Sequence, residues 1–231
     1  MFRSGTRSAE QPVAEHQRAL LAASLAGLII GRTLSWPLWA MTVSMALPWL
    51  PFFARWIVHT YREHPWLGFF CILTWLQLSH LGEHVVQMVQ IHVLGLQGED
   101  ARGVFGVFDI EWVHFIWNVG ILVGVLLLLT RNPRNRWLQV TAVISAWHAI
   151  EHSYILSVYL STGLSGTPGL LASGGLIGGG LPLTRPDLHF LYNLVESAPL
   201  VLAFLAATRA WQAPYGRPIL QRGSAYRSTP R

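Results

Sequence analysis

The sequence predicts an all-α, six-span transmembrane helical bundle with an internal two-helix repeat. Three observations lead there. Apolar residues fill 52% of the 231 positions and charged ones only 12%, with a mean hydropathy of +0.40. Apolar runs close to the ~20 residues that cross a hydrocarbon core recur along the chain. Two pairs of these runs carry the same polar motifs in matching places. A soluble domain carries roughly 25% charged residues, so a soluble globule and a disordered chain are both excluded. The lone cysteine, Cys71, excludes an internal disulfide and a cysteine-built metal site.

Taken in order, residues 1–18 form a cytoplasmic N-terminal segment. Glu10, Glu15 and the lack of a small-residue cleavage site argue against a cleaved signal peptide. Residues 19–65 supply two flanking transmembrane helices and a cytoplasmic loop, because the apolar stretch from Ala19 to Ala54 is broken at Gly31, Arg32, Trp36 and Pro37. Four clearer spans follow, about 66–94, 110–129, 137–160 and 187–208. They fall into repeat 1 (66–130) and repeat 2 (131–208), which together form a pseudo-symmetric four-helix core. Residues 209–231 read as a basic, mobile cytoplasmic tail.

All 16 basic residues are Arg, and a six-span threading gathers all but Arg32, Arg102 and Arg185 on one side. The positive-inside rule makes that side, with both termini, cytoplasmic. The chain is therefore expected to be a multi-pass protein of a bacterial cell membrane. Its basic residues cluster at span ends rather than in an aromatic-laced patch, which argues against nucleic acid as a partner. Two glycine-punctuated, apolar loops on the other side, 95–109 and 161–186, are expected to fold back as caps over the bundle. Gly27/Gly31 and Gly120/Gly124 are small-residue packing faces, within the bundle or between copies in a homo-oligomer.

The repeat carries the chemistry. The third span holds His80, Glu83 and His84, and the fifth His148, Glu151 and His152, both as H-x-x-E-H. From composition alone that pattern arises roughly 0.015 times in such a chain, so two copies point to duplication. The fourth span opens with Glu111, His114 and Asn118 in H-F-x-W-N, and the sixth with His189 and Asn193 in H-F-x-Y-N. At about 100° per residue, His80, Glu83, His84 and Gln87 share one helix face, as do His148, Glu151, His152 and Tyr159. His189, Asn193 and Glu196 share another. Ionisable groups in hydrocarbon cost roughly 3 kcal/mol or more, so these faces should converge inside the bundle, in the outer half of the bilayer.

Imidazole with carboxylate suits a non-haem metal site, and an i, i+4 His pair presents two ligands on one face. The expected ligands are His80, Glu83, His84, His114, His148, Glu151, His152 and His189, holding a dinuclear centre with iron favoured over zinc, copper or manganese. Gln87, Asn118, Asn193 and Glu111 are expected to support the ligands through hydrogen bonds. Tyr159 and Glu196 lack equivalents in the other half, where Ile91 and Ile121 stand, and are candidates for proton or electron delivery to a lipophilic or small substrate. The ligand chemistry is similar to that of membrane di-iron desaturases, although their boxes run H-x-x-H-H. H-x-x-E-H is also the inverzincin pattern, which makes a membrane zinc hydrolase an alternative. Further alternatives are a b-type haem electron-transfer subunit, a metal-handling transporter, and a bundle held by interhelical hydrogen bonds without any cofactor. If the chain is an enzyme, redox chemistry is expected ahead of hydrolysis.

Overall fold

Helix is the regular structure throughout the described residues of the computed structural model, which are 7–106 and 109–212, with one isolated bridge between Gly175 and Gly179. The expected tail beyond 212, the first six residues, and Val107 and Phe108 of the first cap lie outside them. The chain divides into two units, Met1–His59 and Thr60–Arg231.

In the first unit, α1 (Arg7–Thr33) is followed by α2 (Leu38–Ala46), which runs through a 3-10 turn at Leu47–Trp49 into α3 (Leu50–Glu63). The helix breaks where the sequence predicts it: Ser35 takes a left-handed φ of 53° and Pro37 is extended ahead of α2. The start differs from expectation, since α1 reaches upstream to Arg7 instead of Ala19. Ala, Glu, Gln and Arg are good helix formers, so polarity there does not end the helix. Ser24 Oγ donates to the Met45 carbonyl (2.7 Å) and accepts from Trp49 Nε1 (2.9 Å), tying the hairpin together. A Cβ on Gly27 would stand 2.9 Å from Ser44 Oγ, so this glycine lets the two helices approach.

The second unit contains α4 (Pro65–Met88), α5 (Glu111–Arg131), α6 (Arg136–Thr162) and α7 (Arg185–Gln212). Pro65 opens α4 at a position whose missing N–H is not needed, and a short π-helical stretch, Val89–Val93, extends it. Asn135 caps α6 by accepting from Leu138 N (3.2 Å). Gly163, at φ 71°, ends α6 in the left-handed conformation that glycine adopts without penalty. In the packing, α4 runs along α7, α7 along α6, and α6 along α5. By contrast, α4 and α5 meet over a short stretch only.

Polarity is distributed inside out. Buried positions include Gln77, His84, Asn118, His148, Glu151, His152, Asn193 and Glu196, while Ile116, Val143, Ile150 and Leu160 are exposed. An apolar cluster of Phe70, Leu73, Val125, Leu128, Leu138 and Leu200 fills the end near the α5–α6 link. There the Arg131 guanidinium lies 4.7 Å from the Trp66 ring centroid. The polar residues occupy the other end. Three helical segments, Leu38–Glu63, Glu111–Arg131 and Arg185–Arg209, are long and apolar enough to cross a membrane. The others expected to span fall short of that composition; in α4 and α6 buried Gln77, His84, Gln87, His148, Glu151 and His152 lower the average.

Candidate metal centre

Six imidazoles meet where the four helices converge. His80, His84 and His114 each offer a ring nitrogen within 4.8 Å of the others, a geometry that can hold a metal ion. Their ring centroids lie 4.8 Å (His80–His84), 5.5 Å (His80–His114) and 5.8 Å (His84–His114) apart. In the second trio the corresponding separations are 5.0 Å for His148–His152, 6.1 Å for His148–His189 and 4.7 Å for His152–His189, so His189 stands nearer the second histidine of its motif where His114 stands nearer the first. The trios touch through His114 and His152, stacked at 5.5 Å, and through His84 and His189 at 6.1 Å. Helix geometry explains the arrangement. The i, i+4 pairs on α4 and α6 each present two rings one above the other, and the first turns of α5 and α7 bring one ring each.

Hydrogen bonds assign the nitrogens. Gln87 Nε2 donates to the Ala101 carbonyl, so its Oε1 accepts from His84 Nδ1 (3.1 Å). His114 Nδ1 donates to the Ile110 carbonyl (3.2 Å), and His148 Nδ1 donates to Glu196 Oε2 (2.8 Å). With Nδ1 as donor, Nε2 of each neutral ring carries a lone pair. Nε2 of His80, His84, His148, His152 and His189 is buried without a hydrogen-bond partner, as is Nδ1 of His152. His114 Nε2 lies 3.8 Å from Asp109 Oδ1.

The two glutamates of the H-x-x-E-H motifs hold the caps. Glu83 Oε1 accepts from the Phe105 amide (2.6 Å), just after Gly103, which has φ 82°. Glu151 Oε1 accepts from the Leu170 amide (2.8 Å), just after Gly169 at φ 78°. A Cβ on either glycine would collide with the glutamate carboxylate. Glu151 Oε2 is buried and unpartnered. The caps are held elsewhere too: Gln90 exchanges two hydrogen bonds with the Gly103 backbone, 2.7 and 3.0 Å.

The remaining expected residues are distributed as follows. Asn118 and Asn193 donate to the carbonyls of His114 (2.8 Å) and His189 (3.0 Å) rather than to ligand rings. Glu111 forms a two-pronged pair with Arg185, 2.9 and 2.6 Å, and accepts from the Gly166 amide (3.1 Å). Glu196 is fully buried between His148 and the Ser145 hydroxyl. Tyr159 is half-buried on α6, two turns beyond His152, and the tyrosine against the imidazoles is Tyr192, 5.2 Å from His148.

Two cavities reach the cluster. One, about 260 Å³, lies at the start of α5 and α7 beside Glu111, Arg185, His84 and His189. The other, about 470 Å³, opens between α4 and α5 onto His80, Glu83, His114 and Trp117.

Sequence reasoning did not single out Tyr192, Trp117 or Arg185. Tyr192 and Trp117 occupy the aromatic position of the H-F-x-aromatic-N motifs, and Trp117 stacks on His80 at 5.2 Å, so the shared aromatic was the available signal. Arg185 had none, since its partner is 74 positions away. No protein family, curated protein or solved structure matches the chain.

Proposed function

We propose that the chain is an integral membrane protein that holds a non-haem metal centre, one ion per histidine trio, and uses it for redox chemistry on a lipid-soluble substrate. The observation that carries this reading is the set of buried, unpartnered imidazole nitrogens facing one another. A buried acceptor left unmet costs about 1–3 kcal/mol. Five unmet Nε2 atoms would then consume much of the roughly 5–15 kcal/mol that stabilises a folded protein. Metal coordination by neutral imidazole removes that penalty for the whole cluster at once, and imidazole suits iron, copper and zinc. Three ligands per ion leave a coordination position free for substrate.

The inside-out polarity and the three long apolar segments support the membrane placement. Matching trios, matching glutamate-held caps and matching Asn contacts support a two-helix repeat with a pseudo-two-fold axis. With the arginine-rich α5–α6 link in the cytoplasm, the cluster falls in the outer half of the bilayer. Haem fits less well, because a porphyrin plate must lie between paired imidazoles, whereas His84, His114, His152 and His189 pack ring against ring. The inverzincin reading needs its glutamate at metal-bound water, and Oε1 of both glutamates is engaged by a cap amide.

Elemental analysis of the detergent-purified protein, with an absorption spectrum of the same sample, tests the proposal. It expects near-stoichiometric iron, copper or another transition metal and no Soret band. A Soret band, or no metal after reconstitution with each candidate ion, would overturn it.

A further inference from the structure

Beside the lateral cavity onto His80 lies a second one. The latter, about 510 Å³, is lined by apolar residues of α4 and α5 alone, among them Phe69, Leu73, Ile116, Gly120 and Leu127. Val113 and Trp117 line both cavities, so the two lie side by side along the loosely packed α4–α5 seam and make up the α4–α5 groove. Its lower part is wholly apolar. Its upper part ends at His80, Glu83 and His114. The Trp117 indole N–H, at the junction, is buried without an acceptor.

In the other half of the bundle the corresponding positions are filled by larger side chains. Aligning the H-x-x-E-H motifs sets Ser79 against Trp147, and aligning the H-F motifs sets Trp117 against Tyr192. Trp147 Nε1 donates to Tyr192 Oη (3.0 Å), satisfying the polar atom that stays unmet in Trp117. Leu171, Ala172, Leu183 and Leu188 pack around that pair and close the space. Where the second half is plugged by an indole, the first half has a serine hydroxyl at the cavity edge.

We infer that the α4–α5 groove binds a single-chain lipid with a small oxygen-bearing head. The chain lies along Phe69, Leu73 and Gly120, and the head lies beside Ser79, His80 and Trp117. Both cavities fall in the 300–1,000 Å³ range of ligand pockets, and a long apolar wall with a few convergent polar groups is what such a ligand requires. This deepens the metal-centre reading by naming the substrate class, and it rests on that reading only for the reacting end, not for the groove.

The test is photo-labelling of the full-length protein in detergent with a long-chain primary alcohol carrying a diazirine on its chain, mapped by peptide mass spectrometry. Saturable labelling of α4 and α5 is expected, displaced by the unlabelled alcohol. Ser79→Trp copies the plug of the second half. Gly120→Leu fills the lower groove at a position where an added Cβ meets nothing within 4 Å, so folding is preserved even if the first variant fails. Each should cut labelling at least about tenfold, whereas Val143→Leu, on an exposed position of α6, should leave it unchanged. Labelling spread over all helices, or equal in wild type and Gly120→Leu, overturns the proposal and identifies ordinary annular lipid. Metal content is measured on the same samples. Saturable labelling without metal would uphold the groove and remove the metal centre, and metal without saturable labelling would do the reverse.

Discussion

Replacing Glu196 by leucine should weaken metal binding in one half of the cluster and spare the other. The carboxylate is fully buried and accepts from His148 Nδ1 at 2.8 Å and from the Ser145 hydroxyl. It therefore fixes the tautomer that turns His148 Nε2 toward the cluster and makes that nitrogen a stronger donor. Leucine is close in volume, so packing survives, but both donors lose their acceptor. Removing such a supporting partner costs typically about 10–100-fold in metal affinity, or about 1.4–2.7 kcal/mol. Glu196→Gln keeps one acceptor oxygen for two donors and should sit near the lower end. The assay is a chelator titration of purified protein with retained metal read by elemental analysis. The expected result is that the variant loses nearly all of its metal at a chelator strength at which wild type still keeps the half held beside His148. Wild-type retention in a Glu196→Leu protein of native helix content and melting behaviour would refute the reasoning.

Three further outcomes follow from the same geometry. His84→Ala and His152→Ala should each lose metal while helix content and detergent-solubilised size stay native; full retention in both, measured by elemental analysis, would contradict the ligand assignment. Arg185→Met leaves Glu111, 5% exposed, as an unpaired buried carboxylate, so thermal unfolding should show a loss of about 3 kcal/mol, with Glu111→Gln in the same background restoring part of it. Gly103→Ala and Gly169→Ala should each destabilise by about 1–3 kcal/mol, because a side chain at φ near 80° is strained and its Cβ collides with Glu83 or Glu151; unchanged melting in both would show that the caps are not held as described.

The all-helical character was legible because two periodicities agree: long apolar runs, and polar residues at helical spacing within four of them. The convergence of six histidines follows from those spacings alone. The fate of the glutamates was not legible for a geometric reason. Glu83 lies about 100° around the helix from His84, so it sits at the edge of the inward arc, and only the return path of the cap decides whether it faces ring nitrogens or backbone amides. The same limit applies to Tyr159, which shares the face of His152 but stands seven residues along it, about 10 Å up the axis. Its place is taken by Tyr192, which belongs to a different helix. Long-range pairings such as Glu111 with Arg185 depend on where two loops end, and no local pattern encodes that.

The histidine trios are alike in position but not in support, and this predicts an order of metal loss. In the first half, the neutral amide of Gln87, on the motif helix itself, accepts from His84. The matching residue of the second half is Ile155, fully buried and apolar. There the carboxylate of Glu196, from the neighbouring helix, accepts from His148, and its own counterpart is Ile121. A carboxylate makes a stronger hydrogen bond to a ring N–H than an amide does and so holds the ring more firmly in place; an ion beside His148 should therefore be held more tightly. On the proposed reading the more weakly held ion would then be the one beside His80, the half-buried histidine at the lateral cavity. Such a centre would, on the same reading, keep one ion for electrostatic and structural support and present the other to substrate. Chelation of wild type should accordingly be biphasic, with His80→Ala abolishing the first phase and preserving the second. A single phase in wild type, or loss of both phases in His80→Ala, would mean that the two halves act as one site.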